Sequence, residues 1–246
     1  MEYHIFLQAR VGSTRLPGKI LKKICGKTVF ELLVERLRNV KANKIILATG
    51  SLEKNNLLVN EAKKLGIDYF CGPEENVLDR FYTCANHFQS DNIIRVTGDC
   101  PLIDYNVINK GISIFDSNKY DILSVDRVRT FPHGFDFEIF TKDALIKSWS
   151  EMLGHFQSKE EFSSKFMPPT INMLQSNQFN NYDLINDKNY ASLRLTMDYE
   201  EDFQLINEIY DSLYAKNKSF AFDEILQLFN ERPRLLDINK KFAQFT

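Results

Sequence analysis

The chain has 246 residues, a length that fits one large domain or one domain with a lobe built into it, since domains usually run to roughly 100–200 residues. Its 31 basic and 33 acidic residues give a net charge of −2, which argues against a protein that coats nucleic acid through a basic surface. Hydrophobic residues make up 43% of the chain, which is enough for a sizeable core and excludes disorder throughout.

The sequence gives no sign of export, membrane insertion or a cysteine-based metal site. Residues 1–7 lack the basic and long apolar regions of a secretory signal, and no apolar run approaches the roughly 20 residues of a membrane helix. The four cysteines are irregularly spaced with no C-x-x-C motif: Cys25, Cys71, Cys84 and Cys100. We therefore predict a cytoplasmic protein with reduced thiols that binds neither nucleic acid nor a membrane.

The first half of the chain alternates short apolar runs with amphipathic segments. The runs predict strands at 4–7, 44–49, 67–71, 92–96 and 121–125. Apolar residues at helical spacing predict helices at 29–37, 55–65, 77–88 and 105–115. This alternation predicts βαβ units, and hence a Rossmann-like α/β fold with a mainly parallel sheet and helices on both faces.

The second half is less regular. Its patterns predict extended segments at 138–140, 179–185 and 192–197, and helices at 142–152, 159–166, 201–214 and 222–229. Because there is no internal repeat or low-complexity linker, we expect a single domain over 1–246 with a small inserted lobe at about 127–188, rather than a separable second domain.

The segment Q-A-R-V-G-S-T-R-L-P-G-K at 8–19 directly follows the first predicted strand. Residues 8–27 contain six basic side chains and no acidic one. Ligands of α/β sheets bind beyond the carboxyl ends of the strands, and exposed amides with Arg and Lys hold phosphate oxygens. The segment is not a P-loop, because the Gly12–Gly18 spacing is one residue too long and Ile20 stands where Ser or Thr coordinates magnesium. It predicts a triphosphate site; the alternative is a solvated basic loop.

Two aspartates follow predicted strands. Asp99 lies in R-V-T-G-D-C-P-L at 95–102, and Asp198 lies in L-R-L-T-M-D-Y-E-E-D at 193–202. Each has a plain structural reading, as a turn residue for Asp99 and as part of an acidic helix start for Asp198. Together they predict a carboxylate pair opposite the basic loop, which is the arrangement that metal-assisted phosphoryl or nucleotidyl transfer needs.

The motifs in this order resemble the cytidylyltransferase superfamily. They are Q-A-R-V-G-S-T-R-L-P-G-K at 8–19, A-T-G at 48–50, E-N-V-L-D-R-F at 75–81, R-V-T-G-D-C-P-L-I-D at 95–104 and L-T-M-D-Y-E-E-D at 195–202. That group includes the synthetases that make CMP-activated KDO and CMP-activated sialic-type acids, and the chain is most similar to the branch named for spore-coat polysaccharide biosynthesis (SpsF-like). The resemblance implies a nucleotidyltransferase fold of the GT-A-like type.

The resemblance also implies a set of site residues. The nucleotide, CTP, would be bound by Gln8, Ala9, Arg10, Gly12, Ser13, Thr14, Arg15, Lys19, Thr49, Arg80, Thr97 and Gly98. The catalytic residues would be Arg10, Arg15, Lys19 and Asp99, and Mg²⁺ would be held by Asp99 and Asp198. The acceptor would be bound by His133, Asp136 and Glu138, at the start of the predicted lobe, which would serve acceptor binding or dimerisation. Where the branch usually shows Arg-Glu-His, this chain has Lys159-Glu160-Glu161, which leaves the acceptor open.

We therefore predict an Mg²⁺-dependent homodimeric cytidylyltransferase that transfers CMP from CTP to a sugar acid or related glycan precursor and releases pyrophosphate. One alternative is a nucleotidyltransferase that acts on a phosphorylated acceptor. A second is a GT-A-type glycosyltransferase that binds a nucleotide sugar through a D-x-D motif, whose nearest match here is the imperfect Asp136-Phe137-Glu138. A third is a non-catalytic nucleotide-binding subunit.

Overall fold

The computed structural model describes residues 1–243. Its strands are β1 (Tyr3–Gln8), β2 (Lys23–Ile24), β3 (Lys27–Thr28), β4 (Lys44–Thr49), β5 (Asp68–Cys71), β6 (Asn92–Thr97), β7 (Ile122–Ser124), β8 (Phe137–Thr141) and β9 (Asn181–Asp183). Its α-helices are α1 (Val29–Leu37), α2 (Leu52–Lys64), α3 (Val77–Phe88), α4 (Tyr105–Asp116), α5 (Lys142–Leu153), α6 (Lys159–Ser163), α7 (Ile171–Gln175), α8 (Glu200–Leu213) and α9 (Phe222–Glu231). No helix among these is both long enough and apolar enough to cross a bilayer.

Seven strands form one sheet in the order β5-β4-β1-β6-β8-β7-β9. Strand β8 runs antiparallel to its neighbours β6 and β7, and the other pairs are parallel. The chain first builds outward from β1 through β4 to β5, and then returns to the other side of β1 with β6. The strand order therefore reverses between β1 and β6, and an open α/β sheet binds its ligands at such a point, beyond the carboxyl ends of the strands.

The sheet is covered by helices on both faces. Along β1, Ile5 and Leu7 pack into one hydrophobic cluster with α1, α2, α4, α8 and α9, whereas Phe6 packs into the other with α3, α5, α6 and α7. Successive side chains of a strand point to opposite faces, so a strand buried on both sides reads as a continuous apolar run. The predicted α/β fold, mainly parallel with helices on both faces, is confirmed.

The second half departs from the predicted elements in four places. The segment 192–197 is extended but joins no ladder, because its backbone pairs with loops: the Leu195 N–H donates to the His133 carbonyl, and the Met197 N–H donates to the Asp99 carbonyl. The strand predicted at 179–185 covers only β9, and the helix predicted at 159–166 ends at Ser163. Helix α7 was not predicted, since five residues are too few to show helical spacing.

The segment 127–188 is divided between the sheet and one of its faces. Strands β8 and β9 belong to the central sheet, and α5, α6 and α7 pack on the side of Phe6. The role expected for this segment, acceptor binding or dimerisation, stays a prediction.

Candidate active site

A cleft of about 440 Å³ opens at the carboxyl ends of β1 and β6, where the strand order reverses. Most of the residues predicted to bind nucleotide or metal line it: Gln8, Ala9, Arg10, Gly12, Ser13, Thr14, Arg15, Lys19, Arg80, Thr97, Gly98, Asp99 and Asp198. The remaining lining residues are Ile20, Glu74, Glu75, Val77, Arg95 and Phe166. Side chains separated by up to 190 positions in sequence thus share one surface, because parallel strands end at the same edge of the sheet.

The loop after β1 is anchored by its apolar residues, which leaves its polar ones facing the cleft. Leu16 and Ile20 are buried, and Gly18 adopts φ 65° to begin the short 3-10 helix Lys19–Leu21. The end of β6 approaches this loop closely: a Cβ on Gly98 would lie 2.9 Å from the Ala9 Cβ. Glycine at position 98 therefore lets the loop pack directly against the end of β6, so that both line the cleft.

The two predicted metal carboxylates lie side by side around Lys19. The Asp99 carbonyl accepts from the Met197 N–H at 2.8 Å and from the Thr196 Oγ1 at 3.0 Å, which brings the following Asp198 next to Asp99. Lys19 Nζ lies 2.9 Å from Asp198 Oδ1 and 3.4 Å from Asp99 Oδ2. The 192–197 segment, although not a strand, thus places Asp198 beside Asp99 and Lys19.

Both carboxylates are held in the ionised form. Burial by itself would raise the pKa of Asp99, but the neighbouring Lys19 ammonium, together with a hydrogen bond from Thr97, more than offsets it, so the pKa lies below its ordinary value. Burial acts in the same direction on Asp198, and there Lys19 together with Arg15, whose Nη2 is 2.8 Å from Oδ2, lowers the pKa. At neutral pH the cleft therefore presents two anionic side chains beside a basic loop.

This pair fits the needs of a magnesium ion bound together with a nucleotide. Mg²⁺ is usually bound by one or two carboxylates and takes its other ligands from water and substrate phosphates. Across residues 1–243, no three His, Cys, Asp or Glu side chains gather as a complete metal site, so the protein alone would supply only Asp99 and Asp198. The donor set is that of a metal shared with a phosphorylated substrate.

The opposite wall of the cleft is formed by the segment 73–75 and by α3. Arg80 is only 3% exposed and donates from Nη1 to the Pro73 carbonyl at 2.8 Å, and burial lowers its pKa to about 10. Arg10 lies 3.6 Å from the Glu74 carboxylate across the cleft. Arg80, predicted to border the nucleotide, lines the cleft and holds this wall in place.

A row of three polar side chains crosses β1, β6 and β8 beneath the cleft. Arg95 Nε donates to Gln8 Oε1 at 2.8 Å, and Arg95 Nη1 contacts both carboxylate oxygens of Glu138, at 2.6 and 2.8 Å. With its carbonyl oxygen engaged, the Gln8 amide group is left to donate into the cleft. Glu138 is 3% exposed and does not line the cleft, because its carboxylate faces Arg95; its role in acceptor binding stays a prediction.

The other predicted acceptor residues and Thr49 also lie outside the cleft. His133 Nδ1 is 3.3 Å from Arg194 Nη1, and Asp136 accepts from Arg129 Nη1 at 2.5 Å, so both are engaged by neighbouring side chains. Thr49 is fully buried at the end of β4 and shares the face of Leu47. Intramolecular partners or burial thus keep these three side chains out of the cleft, and their roles in ligand contact stay predictions.

Arg95 and Phe166 are the most informative lining residues that sequence reasoning missed. Arg95 stands in the same motif as Asp99, so the signal was present, but its two partners lie on other strands. Phe166 is 70% exposed at the mouth of the cleft, on a segment whose next residue, Met167, bonds through its backbone to Glu75 and Val77. No local pattern at position 166 distinguishes it from other aromatic residues.

Removing Glu138 should destabilise the fold, because it leaves the mostly buried Arg95 guanidinium without its buried counterion. We expect Glu138→Ala to lower the free energy of unfolding by about 3–5 kcal/mol, measured by denaturant titration. The paired variant Arg95→Met with Glu138→Leu should recover most of that loss. As a control, Asp68→Ala breaks an exposed ion pair between β5 and Lys44 of β4 and should cost less than about 1 kcal/mol. A Glu138→Ala loss as small as the control would contradict the buried-pair interpretation.

The comparisons with known proteins cover almost the whole chain. A family model described as cytidylyltransferase matches residues 5–240. The chain is 32% identical over 242 residues to an uncharacterized protein of Methanocaldococcus jannaschii, covering 97% of this chain and 94% of that protein. It is 28% identical over 236 residues to the spore coat polysaccharide biosynthesis protein SpsF of Bacillus subtilis, covering 92% of this chain and 93% of that protein. The solved structure of a cytidylyltransferase from Leptospira borgpetersenii matches it with a TM-score of 0.86 at 26% identity, over 100% of both chains.

Proposed function

Because this chain belongs to the cytidylyltransferase family and is a nucleotidyltransferase, we propose that it transfers CMP from CTP to a sugar acid or related glycan precursor with release of pyrophosphate. The single observation that carries the proposal is the contact of Lys19 with both Asp99 and Asp198, at the mouth of a basic glycine-containing loop. The similarity to a polysaccharide biosynthesis protein over nearly the whole chain supports a role in cell-surface glycan synthesis.

The proposed reaction is an in-line displacement at the α-phosphorus of CTP. An acceptor oxygen forms the new O–P bond, the bond from the α-phosphorus to the bridging oxygen breaks, pyrophosphate leaves with that electron pair, and the acceptor proton passes to solvent. Arg10, Arg15 and Lys19 neutralise the triphosphate, and the loop amides at 12–14 donate to its oxygens. Mg²⁺ held by Asp99 and Asp198 would polarise the phosphates and offset the charge that develops on them.

Positioning accounts for much of this mechanism. No covalent enzyme intermediate is needed, so the protein acts by orienting the two reactants and by placing charge where charge develops. The carboxylate pair and the flanking cations hold one another in the cleft in the protein alone, so charges of both signs are already gathered where the triphosphate and the metal would bind.

A glycosyltransferase reaction is less consistent with the geometry. Its metal would be bound by the imperfect D-x-D at Asp136-Phe137-Glu138. Asp136 is paired with Arg129, Glu138 is paired with Arg95, and neither lines the cleft. The carboxylates that do line the cleft beside the basic loop are those expected for nucleotidyl transfer.

The test is a pyrophosphate-release screen with Mg²⁺, in which CTP, UTP, GTP and ATP are each combined with sugar acids and with sugar phosphates. We expect pyrophosphate with CTP and a sugar acid, and a CMP-linked product by mass spectrometry. Pyrophosphate only with sugar phosphates would instead identify a phosphorylated acceptor. Release of free nucleotide from a nucleotide sugar, without pyrophosphate from any triphosphate, would overturn the proposal. Homodimer formation and a cytoplasmic location stay predictions.

A further inference from the structure

Asp202, in the first turn of α8, has no place in the proposed chemistry but has an unusual set of contacts. Its side chain is fully buried, and both of its oxygens are engaged. Oδ2 accepts from the backbone N–H groups of Asp198 and Tyr199, each at 3.0 Å. Arg194 meets the same carboxylate in a two-point contact, Nε to Oδ1 and Nη2 to Oδ2, both at 2.8 Å. A buried carboxylate is thus fully satisfied by groups that flank Asp198.

The last oxygen contact of Asp202 comes from the far end of the chain. Asn239 is 4% exposed, and its Nδ2 donates to Asp202 Oδ1 at 2.9 Å and to the Arg194 carbonyl at 3.0 Å. The C-terminal segment, residues 233–243, is also held against the same turn by the stacked rings of Phe242 and Tyr199, whose centroids are 3.8 Å apart. The Asn239 side chain therefore contacts both the Asp202 carboxylate and the backbone of Arg194, the arginine that is paired with Asp202.

These contacts hold the backbone that carries the Asp198 carboxylate. Residues 195–198 form no strand ladder, so their position depends on a few hydrogen bonds. On one side, the Asp99 carbonyl holds the Met197 N–H at 2.8 Å. On the other side, Asp202 holds the Asp198 N–H. A group that orients a metal ligand without touching the metal can change metal affinity by about 10- to 100-fold.

We propose that Asp202 and Asn239 are positioning residues for the metal carboxylate Asp198, so that the C-terminal segment completes the active site. The proposal rests on the proposed function, in which Asp198 binds the divalent cation. It assigns to residues 233–243 a role beyond covering the core: they hold the turn at 198–199 through the Asp202 carboxylate.

The test measures Mn²⁺ binding by electron paramagnetic resonance in the presence of CTP, alongside pyrophosphate release. Asn239→Ala should weaken Mn²⁺ binding about 10-fold and lower kcat, with little change in the KM for CTP and a folded protein by circular dichroism. Asp237→Ala, an exposed change in the same segment, is the matched control and should leave both quantities unchanged. Asp202→Asn, which retains the side chain's shape but replaces one acceptor oxygen, should act in the same direction as Asn239→Ala.

A double-variant cycle separates positioning from general stability. If Asn239 acts through Asp198, then Asn239→Ala should have no further effect on Mn²⁺ affinity once Asp198→Ala is present. An equal effect in both backgrounds, or an unchanged Mn²⁺ affinity in Asn239→Ala, overturns the inference. Failure of the wild-type protein to release pyrophosphate while Mn²⁺ affinity still follows Asn239 would count against the proposed reaction and not against the positioning role.

Discussion

Replacing Asp99 by asparagine is expected to lower the rate of pyrophosphate release by about 100- to 1,000-fold, the range observed when one group that stabilises transition-state charge is removed. Asp99 lies in the loop after β6, contacts Lys19 and stands next to Asp198. The amide has the shape of the carboxylate but not its charge, so it can neither bind Mg²⁺ strongly nor balance Lys19. We expect the loss in kcat, measured at saturating CTP and Mg²⁺, because the missing charge acts on the reacting phosphates.

The matched control lies at the other end of the same strand. Asp91 directly precedes β6 and is exposed, whereas Asp99 follows it and lines the cleft. Asp91→Asn should leave turnover unchanged and should shift the unfolding midpoint no more than Asp99→Asn does. A folded Asp99→Asn protein with near-normal turnover would remove Asp99 from the metal site and with it the main support for the proposed mechanism.

The first half of the fold could be predicted in detail from the sequence, because its central strands β1 and β6 are largely buried on both faces and its helices carry one apolar stripe. The helix predicted at 77–88 has the bounds of α3, and the strand predicted at 44–49 has those of β4. The loop after β1 and Asp99 could be placed at one edge for a related reason: a parallel strand order forces its strand ends together. The family resemblance is likewise confirmed, since the family model matches residues 5–240.

What could not be predicted depends on pairing between distant segments. The antiparallel insertion of β8 between β6 and β7 has no local signal, and with it comes the pairing of Arg95 with Glu138, 43 positions apart. A buried, ion-paired glutamate and a ligand-binding glutamate cannot be told apart in the sequence. The difference lies in whether a cationic side chain of the same protein faces the carboxylate. For the same reason the sequence does not show that Arg194 and Arg129 engage His133 and Asp136.

Replacing Lys19 by methionine is expected to produce two separable effects. It removes a cation that neutralises the triphosphate, so kcat/KM for CTP should fall by about 100- to 1,000-fold. It also removes the charge that lowers the pKa of Asp99 and contributes to lowering that of Asp198, so each pKa should rise towards the value that burial favours. The acid limb of the pH–rate profile should therefore move to higher pH, since the carboxylates must be ionised to bind Mg²⁺.

The same shift predicts how stability depends on pH. A carboxylate whose pKa is lower in the folded than in the unfolded protein adds stability above its unfolded pKa, and loses that contribution as the pH falls through its folded pKa. In the wild-type protein Asp99 and Asp198 contribute in this sense, so Lys19→Met should be less stable than wild type at neutral pH and should approach the wild-type stability in acid.

Lys23→Met, an exposed change on the strand β2, is the control and should alter neither the pH–rate profile nor the dependence of stability on pH. If the acid limb of Lys19→Met coincides with that of wild type, Lys19 does not set the ionisation of the pair, and its effect on rate must come from contact with the phosphates alone.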